Sequence, residues 1–489
     1  MPESTTTSEK LFAARKAKLG MIEQAQRTAF PRRVLRSFLA NDAAQYVDDD
    51  PPPQVDVAGR VMSLRRMGKT AFAHLRDRSG DIQLFINEKV LGKNSYVLMR
   101  DTLDVGDFVS AGGQLFRTRT QEPSIRVERI TIAAKSLRSL PEKWHGLQDP
   151  EIRLRQRYLD VLSNSDTRER FESRARIIST LRQMLDDEGF LEVETPTLQP
   201  IYGGGTATPF ITHYASLDRD YYLRIANELY LKRLLVAGYE RVYEICKNFR
   251  NEGVDSTHSP EFTMLEAYQA FADLDEMRAL TETLVVAAVN VVHGSTQTSV
   301  NDHTVDFAPP WKRLTYRDAL RKYALVDIEA TDDNTALAER ARSSGVQIDP
   351  DWPRPKLLDE LTKHVVEPNL IQPTFLERYP AETAPLAKRC DDDPRYVERF
   401  ELFVDGMEIG NAYAELNDPI DQRKRLEAQS ATRDTEEIMP MDEDFLLALE
   451  HGMPPAGGVG IGIDRLVMIL TNAPNIREAI LFPQLRDRS

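Results

Sequence analysis

Two alternating runs flank a short charged turn between Val242 and Tyr268, and no other stretch of the 489-residue chain restricts its fold as much. Successive side chains of a strand face opposite sides, so Phe262, Met264, Glu266 and Tyr268 share one face. On the run before it, Val242, Glu244, Cys246, Asn248 and Arg250 share a face, which leaves Arg250 beside the Asn251-Glu252-Gly253 turn. The pattern predicts a hairpin whose one side carries a ring, a carboxylate and a phenol. An arginine at its tip can hold phosphate or carboxylate through two parallel hydrogen bonds. Taken alone, Arg250 or Glu252 fits a surface hairpin laced with ion pairs equally well. Together with His258, Glu261 and Phe262 they suit a grip on a nucleotide and a zwitterion.

The chain has room for two or three domains, and 29% charged residues beside 41% hydrophobic ones mark a globular protein. No run of about eighteen apolar residues and no apolar leader is present, so a cytoplasmic protein is expected. The two cysteines, Cys246 and Cys390, form no CxxC pair and support neither a disulfide framework nor a zinc-thiolate site. Residues 1–140 carry a formal charge of +7 and the remainder −21. A basic part joined to an acidic body suits a nucleic-acid handle on an enzyme, although basic faces are often only solvated. The basic stretch 10–36 reads as an amphipathic helix, with an organellar transit peptide as the alternative.

Asp48-Asp49-Asp50-Pro51-Pro52-Pro53 cannot continue a helix and closes a helical N-terminal extension with linker, residues 1–54. From 55 to 140, short alternating runs with Gly and Asp turns predict a small OB-type β-barrel. Such barrels stack bases of single-stranded nucleic acid on exposed aromatics. Arg65, Phe72 and Gln83 are the candidates, against the alternative that Phe72 is a core residue. A connector, 141–165, precedes a long amphipathic helix striped by Phe171, Ile177, Ile178, Leu181, Met184 and Leu185, with Asp166 as its cap and Gly189 as its end. Helix and following strand suit a subunit interface or an ordinary helix-strand unit.

Two further constellations lie near the C-terminus. Glu401 to Glu415 reads as a hairpin turned by Asp405-Gly406, with Asn411, Tyr413 and Glu415 on one face. Glu408 has the opposite parity and joins them only if the strand bulges near Gly410. Paired carboxylates across such a hairpin can hold Mg²⁺ between phosphate oxygens, or can simply be solvated. Gly457 to Leu466 is a glycine-spaced strand opening into a helix, and Arg465 at the helix start can meet phosphate. Its spacing fits neither the Rossmann nor the P-loop pattern.

In chain order, Phe190 to Pro196, Arg250 to Glu266 and Gly460 to Arg465 resemble the three signature motifs of class II aminoacyl-tRNA synthetases. Gly203 to Phe210, Leu223 to Leu234, Ile371 to Phe375 and Glu408 to Asp421 bring the resemblance closest to the bacterial-type lysyl family, over residues 55–489. The resemblance implies an α+β chain: an OB-fold anticodon-binding domain, 55–140, and a class II catalytic domain, 166–489, built on an antiparallel sheet flanked by helices. It implies a homodimer, tRNA(Lys), L-lysine and ATP as partners, and Mg²⁺ as cofactor. Phe262 would stack on adenine, Glu252 would meet its amino group, and Arg250 and His258 would hold phosphates. Arg465 would reach the γ-phosphate, which makes Arg250 and Arg465 the catalytic pair. Glu401 and Glu408 would bind Mg²⁺, with Glu401 also at the ATP. Glu228 and Gly204 would take the α-ammonium of lysine, Arg250 and Asn411 its carboxylate side, and Glu415 with Tyr268 the ε-ammonium. Glu266 and Tyr413 would complete the lysine site, and Arg65, Phe72 and Gln83 the anticodon site.

The implied chemistry agrees with the charges. A carboxylate nucleophile is ionised at neutral pH, so forming an adenylate needs alignment and charge neutralisation and no general base. Asn227, Gly205, Ala384 and Ala456 depart from the residues usual in the family without removing a named ligand. A synthetase-like ligase that loads a protein or small molecule, and a non-catalytic nucleic-acid-binding protein, are the rivals. The basic barrel argues against the first, and the intact set Arg250, Glu252, Phe262 and Arg465 against the second.

Overall fold

The computed structural model describes residues 7–486 except 27, 142–146, 206, 331–333, 350–351 and 432–439. Part of the predicted connector, and Thr206 of the Gly203 to Phe210 segment, thus lie outside the described residues. The chain divides into two compact units, Met1–Gly146 and Leu147–Ser489.

In the first unit β1 (Gln54–Met67), β2 (Thr70–Arg76), β3 (Asp81–Asn87), β4 (Phe108–Arg117) and β5 (Pro123–Ala134) close into a barrel, in the order β1-β2-β3-β5-β4. Alternation decides its inside: Ala71, Ala73 and Leu75 of β2 are buried, while Phe72 and His74 point outward. Part of the N-terminal extension packs on this core. Ile22 of the helix Thr7–Gln26, with Ala40, Ala43 and Val47, is buried in the same cluster as Val57 and Leu84. Lys18 anchors that helix by an ion pair of 2.7 Å to Asp104.

The second unit is built on an eight-stranded sheet. Its strands are β6 (Leu191–Glu192), β10 (Arg241–Phe249), β11 (Glu261–Ala270), β14 (Lys312–Thr315), β15 (Thr374–Pro380), β16 (Tyr396–Val404), β17 (Met407–Ala414) and β18 (Ala456–Gly462), in the order β14-β15-β16-β17-β18-β11-β10-β6. Only the outermost pairs, β14 with β15 and β6 with β10, are parallel. A small sheet of β7 (Leu198–Gln199), β8 (Ile211–Tyr214) and β9 (Arg219–Leu223) and a hairpin of β12 (Gln297–Val300) and β13 (His303–Asp306) complete the strands.

The helices Ser165–Asp187, Leu274–His293 and Ile463–Leu470 contribute Leu181, Leu185, Met277, Leu284, Leu466 and Val467 to one core with Leu265 and Ala267 of β11. Each fully buried large side chain there contributes roughly 2 kcal/mol relative to exposure. The stripe predicted on Ser165–Asp187 therefore packs on the sheet, but Asp166 sits within its first turn and Asn164 precedes it, with no side-chain cap. Gly189, at φ +79°, ends the helix: the Phe190 amide reaches back 2.9 Å to the Leu185 carbonyl. The opposite face of the sheet carries the polar alternates of the same strands.

Candidate active site

Strand register arranges those polar alternates in rows across the sheet. Val242, Tyr268, Gly458, Tyr413 and Arg399 are successive cross-strand partners, and the next row runs Glu244, Glu266, Gly460, Asn411, Glu401. Then come Cys246, Met264 and Gly462, and after them Asn248 and Phe262. Glycines in the middle of β18 leave the space above them to a cavity of about 480 Å³. The register of β16 against β17 shifts between Leu402 and Phe403, so Glu408 pairs with Phe403 while Asn411 pairs with Glu401. That bulge removes the parity conflict, and Glu408, Asn411 and Tyr413 all line the cavity.

At the Phe262 end, the Arg250 guanidinium lies 5.1 Å from the centre of the Phe262 ring. Its buried Nε has no hydrogen-bond partner among the described residues. A buried guanidinium held this way is suited to an anionic ligand. Glu252 and His258 also line the cavity. Arg465 Nη1 donates to the Glu408 carbonyl and to Glu408 Oε2, both at 2.9 Å, and Nη2 faces His258 Nε2 at 3.0 Å. A guanidinium can only donate, so Nε2 accepts and the His258 proton sits on Nδ1, 2.8 Å from Asp255 Oδ2.

At the middle of the floor, Arg399 lies between the Tyr379 and Tyr413 rings, 4.4 and 5.5 Å from their centres. It donates to Glu401 and, at 3.2 Å, to Asn411 Oδ1. Tyr379 OH donates to the other Glu401 oxygen at 2.5 Å. Burial pushes the Glu401 carboxyl up to about 7, against the pull of Arg399 and with a push from Glu408. Burial, followed by Glu401 and Glu408, pushes the Glu367 carboxyl up to about 8. Carboxylates that repel one another fit a divalent cation, which offsets that repulsion. Among the described residues no three His, Cys, Asp or Glu side chains form a cage for a metal.

The Tyr268 end is acidic and closed. Glu228, Glu266 and Tyr268 line the cavity with Gly204, and Tyr268 OH donates to Glu266 Oε2 at 3.1 Å. Burial, and then Glu228, pushes the Glu266 carboxyl up to about 8. Glu415, expected on the wall, is set behind it: just past β17 and 1% exposed, it ion-pairs through Oε2 with Lys232 Nζ at 2.5 Å. Beyond that ion pair, neither Oε1 nor Oε2 has a hydrogen-bond partner among the described residues. A Cβ at Gly458 would overlap both Glu415 Oε1 and the Tyr268 ring, so only glycine lets these two side chains meet at the cavity edge.

Residues 149–486 match the family described as tRNA synthetases class II (D, K and N), and residues 55–133 the OB-fold nucleic acid binding domain. The chain is 49% identical to a lysine–tRNA ligase of Dehalococcoides mccartyi over 100% of this chain and 99% of that one. It is 49% identical to that of Chloroflexus aurantiacus, over 98% and 99% of the two chains, and 51% identical to that of Roseiflexus castenholzii, over 97% and 98%. The chain belongs to the class II lysyl-tRNA synthetase family. An ATP-dependent aminoacyl-tRNA ligase of α+β fold, with its OB-fold barrel preceding the catalytic domain, follows from that membership.

Of the synthetase residues singled out in the sequence, the cavity gathers Gly204, Glu228, Arg250, Glu252, His258, Phe262, Glu266, Tyr268, Glu401, Glu408, Asn411, Tyr413 and Arg465. In the barrel, Phe72 pairs with Arg65 on one neighbouring strand and with Phe85 on the other, their rings 5.3 Å apart on the outer face. Arg65 is exposed. Gln83 differs from expectation: it is buried, donates to Glu122 at 2.6 Å and accepts from Ser124 at 2.9 Å. Its amide meets a base only by exchanging one of those partners.

Sequence reasoning passed over Arg399 and Lys232. Arg399 has the parity of Glu401 and could have been found from that alone. Lys232 stands four residues after Glu228 in the helix Glu228–Val236, a spacing that brings the two side chains together.

Proposed function

We propose that the protein activates L-lysine with ATP to lysyl-adenylate, releasing pyrophosphate, and transfers lysine to the 3′ end of tRNA(Lys), releasing AMP. The observation that carries this reading is the polarity of the cavity. Three buried carboxylates, Glu228, Glu266 and Glu415, gather at the Tyr268 end, and Phe262, Arg250 and Arg465 line the other. An amino acid with two ammonium groups matches the first end, and a nucleotide triphosphate the second.

In this reading adenine stacks on Phe262 with its amino group at Glu252, and Arg250, His258 and Arg465 hold the phosphates. Lysine lies along the floor, its α-ammonium at Glu228 and the Gly204 backbone, its carboxylate between Arg250 and Asn411, and its ε-ammonium reaching Tyr268 and Glu415. Glu266 and Tyr413 border the same chamber. Arg250 at the junction brings the lysine carboxylate and the α-phosphate together and neutralises the charge that builds between them. Glu401 and Glu408 are the residues that would hold Mg²⁺, which when bound neutralises phosphate charge. Arg65, Phe72 and Gln83 would read the anticodon, and the domains would divide as 1–54, 55–140, 141–165 and 166–489. A homodimer, formed in part through the helix Ser165–Asp187, and a cytoplasmic location complete the proposal; no described helix is long and apolar enough to cross a membrane.

Amino-acid-dependent ATP–pyrophosphate exchange with a panel of amino acids tests it. Lysine should drive exchange best, and a stronger response to aspartate or asparagine would overturn the assignment.

A further inference from the structure

Lys232 is fully buried, and its ammonium lies 2.6 Å from Glu228 Oε1 and 2.5 Å from Glu415 Oε2. One side chain of the protein thus touches both carboxylates assigned to the two ammonium groups of the substrate. A buried ion pair is weak evidence of stabilisation, because the desolvation it costs offsets most of the Coulomb gain. Its position at the end of a substrate chamber calls for another account.

We infer that Lys232 is a specificity-determining positioning residue: its ammonium, shared by Glu228 and Glu415, sets the charge that the ammonium groups of the substrate meet, and it aims Glu415. This inference rests on the lysine reading above. Burial pushes the Glu266 carboxyl up to about 8, so the carboxylates that share the one internal ammonium are Glu228, on the cavity wall, and Glu415, just behind it. Arg250 answers the carboxylate of the substrate, which leaves Glu228 for its α-ammonium and Glu415 for its ε-ammonium. An amino acid with a neutral side chain leaves one of them buried and unpaired.

Geometry supplies the aim. Lys232 ion-pairs with Oε2 of Glu415 and leaves Oε1 facing the Tyr268 and Gly458 edge of the cavity; neither oxygen has a hydrogen-bond partner among the described residues. Burial pushes the Glu415 carboxyl up to about 8 against the pull of Lys232 and with a push from Glu228, so removing that ammonium favours a proton on Glu415 further. A protonated Glu415 meets a hydroxyl as readily as an ammonium, so the discrimination is lost before the adenylation chemistry is.

The test compares the full-length protein with K232M and K232Q in ATP–pyrophosphate exchange, with lysine and with its ε-hydroxyl analogue 6-hydroxynorleucine. The lysine KM should rise about tenfold or more, the ATP KM should stay within about twofold, and the preference for lysine over the analogue should fall by about tenfold or more. A role in folding alone would lower the use of both amino acids in parallel. Folding is judged by the rise in Tm on adding ATP, and K232Q, whose amide can still donate to both carboxylates, is read where K232M does not fold. If the wild-type protein does not favour lysine, the functional reading fails and the inference with it. If it does, and the folded variant keeps its lysine KM or loses both amino acids in parallel, the role of Lys232 alone is overturned.

Discussion

Arg465 and Glu408 form a direct ion pair, Nη1 to Oε2 at 2.9 Å, between the start of the helix Ile463–Leu470 and the bulged end of β17. The arginine proposed for the γ-phosphate and a carboxylate proposed for Mg²⁺ therefore neutralise each other, and nucleotide with its cation must separate them. R465A should lower the exchange rate by about 10²- to 10³-fold, the scale for removing one preorganised charge at a transition state. R465K should restore little of it, because an ammonium cannot present the two parallel N–H donors with which a guanidinium grips a phosphate. Steady-state exchange kinetics decide the point, and full activity in R465K would contradict it.

E415Q should weaken lysine use selectively. Replacing a buried charge partner costs about 2 to 5 kcal/mol, so kcat/KM for lysine should fall by at least about 30-fold while the ATP KM holds. An unchanged preference among amino acids would remove Glu415 from the site.

G458A should be inactive with lysine yet still bind ATP. The added methyl overlaps Glu415 Oε1 and the Tyr268 ring, both at the acidic end, and the Phe262 end lies three rows further along the sheet. ATP-induced shifts in Tm set against lysine-dependent exchange separate the two effects.

Stability without substrate should fall as pH rises from about 5 to about 8. Burial raises the Glu266 carboxyl from 4.5 to about 8, so over this range the folded chain keeps a proton that the unfolded chain has lost. The stabilising contribution is complete below the unfolded pKa and disappears as pH passes the folded one. Melts across that range should slope downward, and E266Q should flatten them; a Tm that rises with pH in the wild-type protein would refute the assignment.

F72A should impair tRNA charging while leaving ATP–pyrophosphate exchange unchanged. Losing one stacked base costs about 1 to 3 kcal/mol, or roughly 5- to 150-fold in charging efficiency. Parallel loss in both assays would place Phe72 in the folding of the barrel instead.

Much of the floor was legible because it is made of strands. Period-two alternation alone placed Phe262, Met264, Glu266 and Tyr268 on one face, and the hairpin turn at Asp405-Gly406 was readable from its residues, both of which take positive φ. Glu408 was not decidable in the same way: its face depends on one extra residue in β17 opposite Leu402 and Phe403, and a bulge leaves no period in the sequence. The partners of Gln83 were not legible for a related reason. Its spacing says which way it points, but Glu122, which engages it, lies 39 residues further along the chain.

The sequence by itself determined the family, the two kinds of domain and the charged residues of the cavity, because alternation, turns and motif order are local properties of the chain. Tertiary structure alone decided which of those charges meet. Lys232 touches Glu415 across 183 residues of sequence, and Arg465 touches His258 across 207. Coulomb energy depends on distance and burial, and neither is written in the order of residues. A carboxylate read from the sequence as a ligand for a substrate ammonium already holds, in the fold, an ammonium of the protein's own.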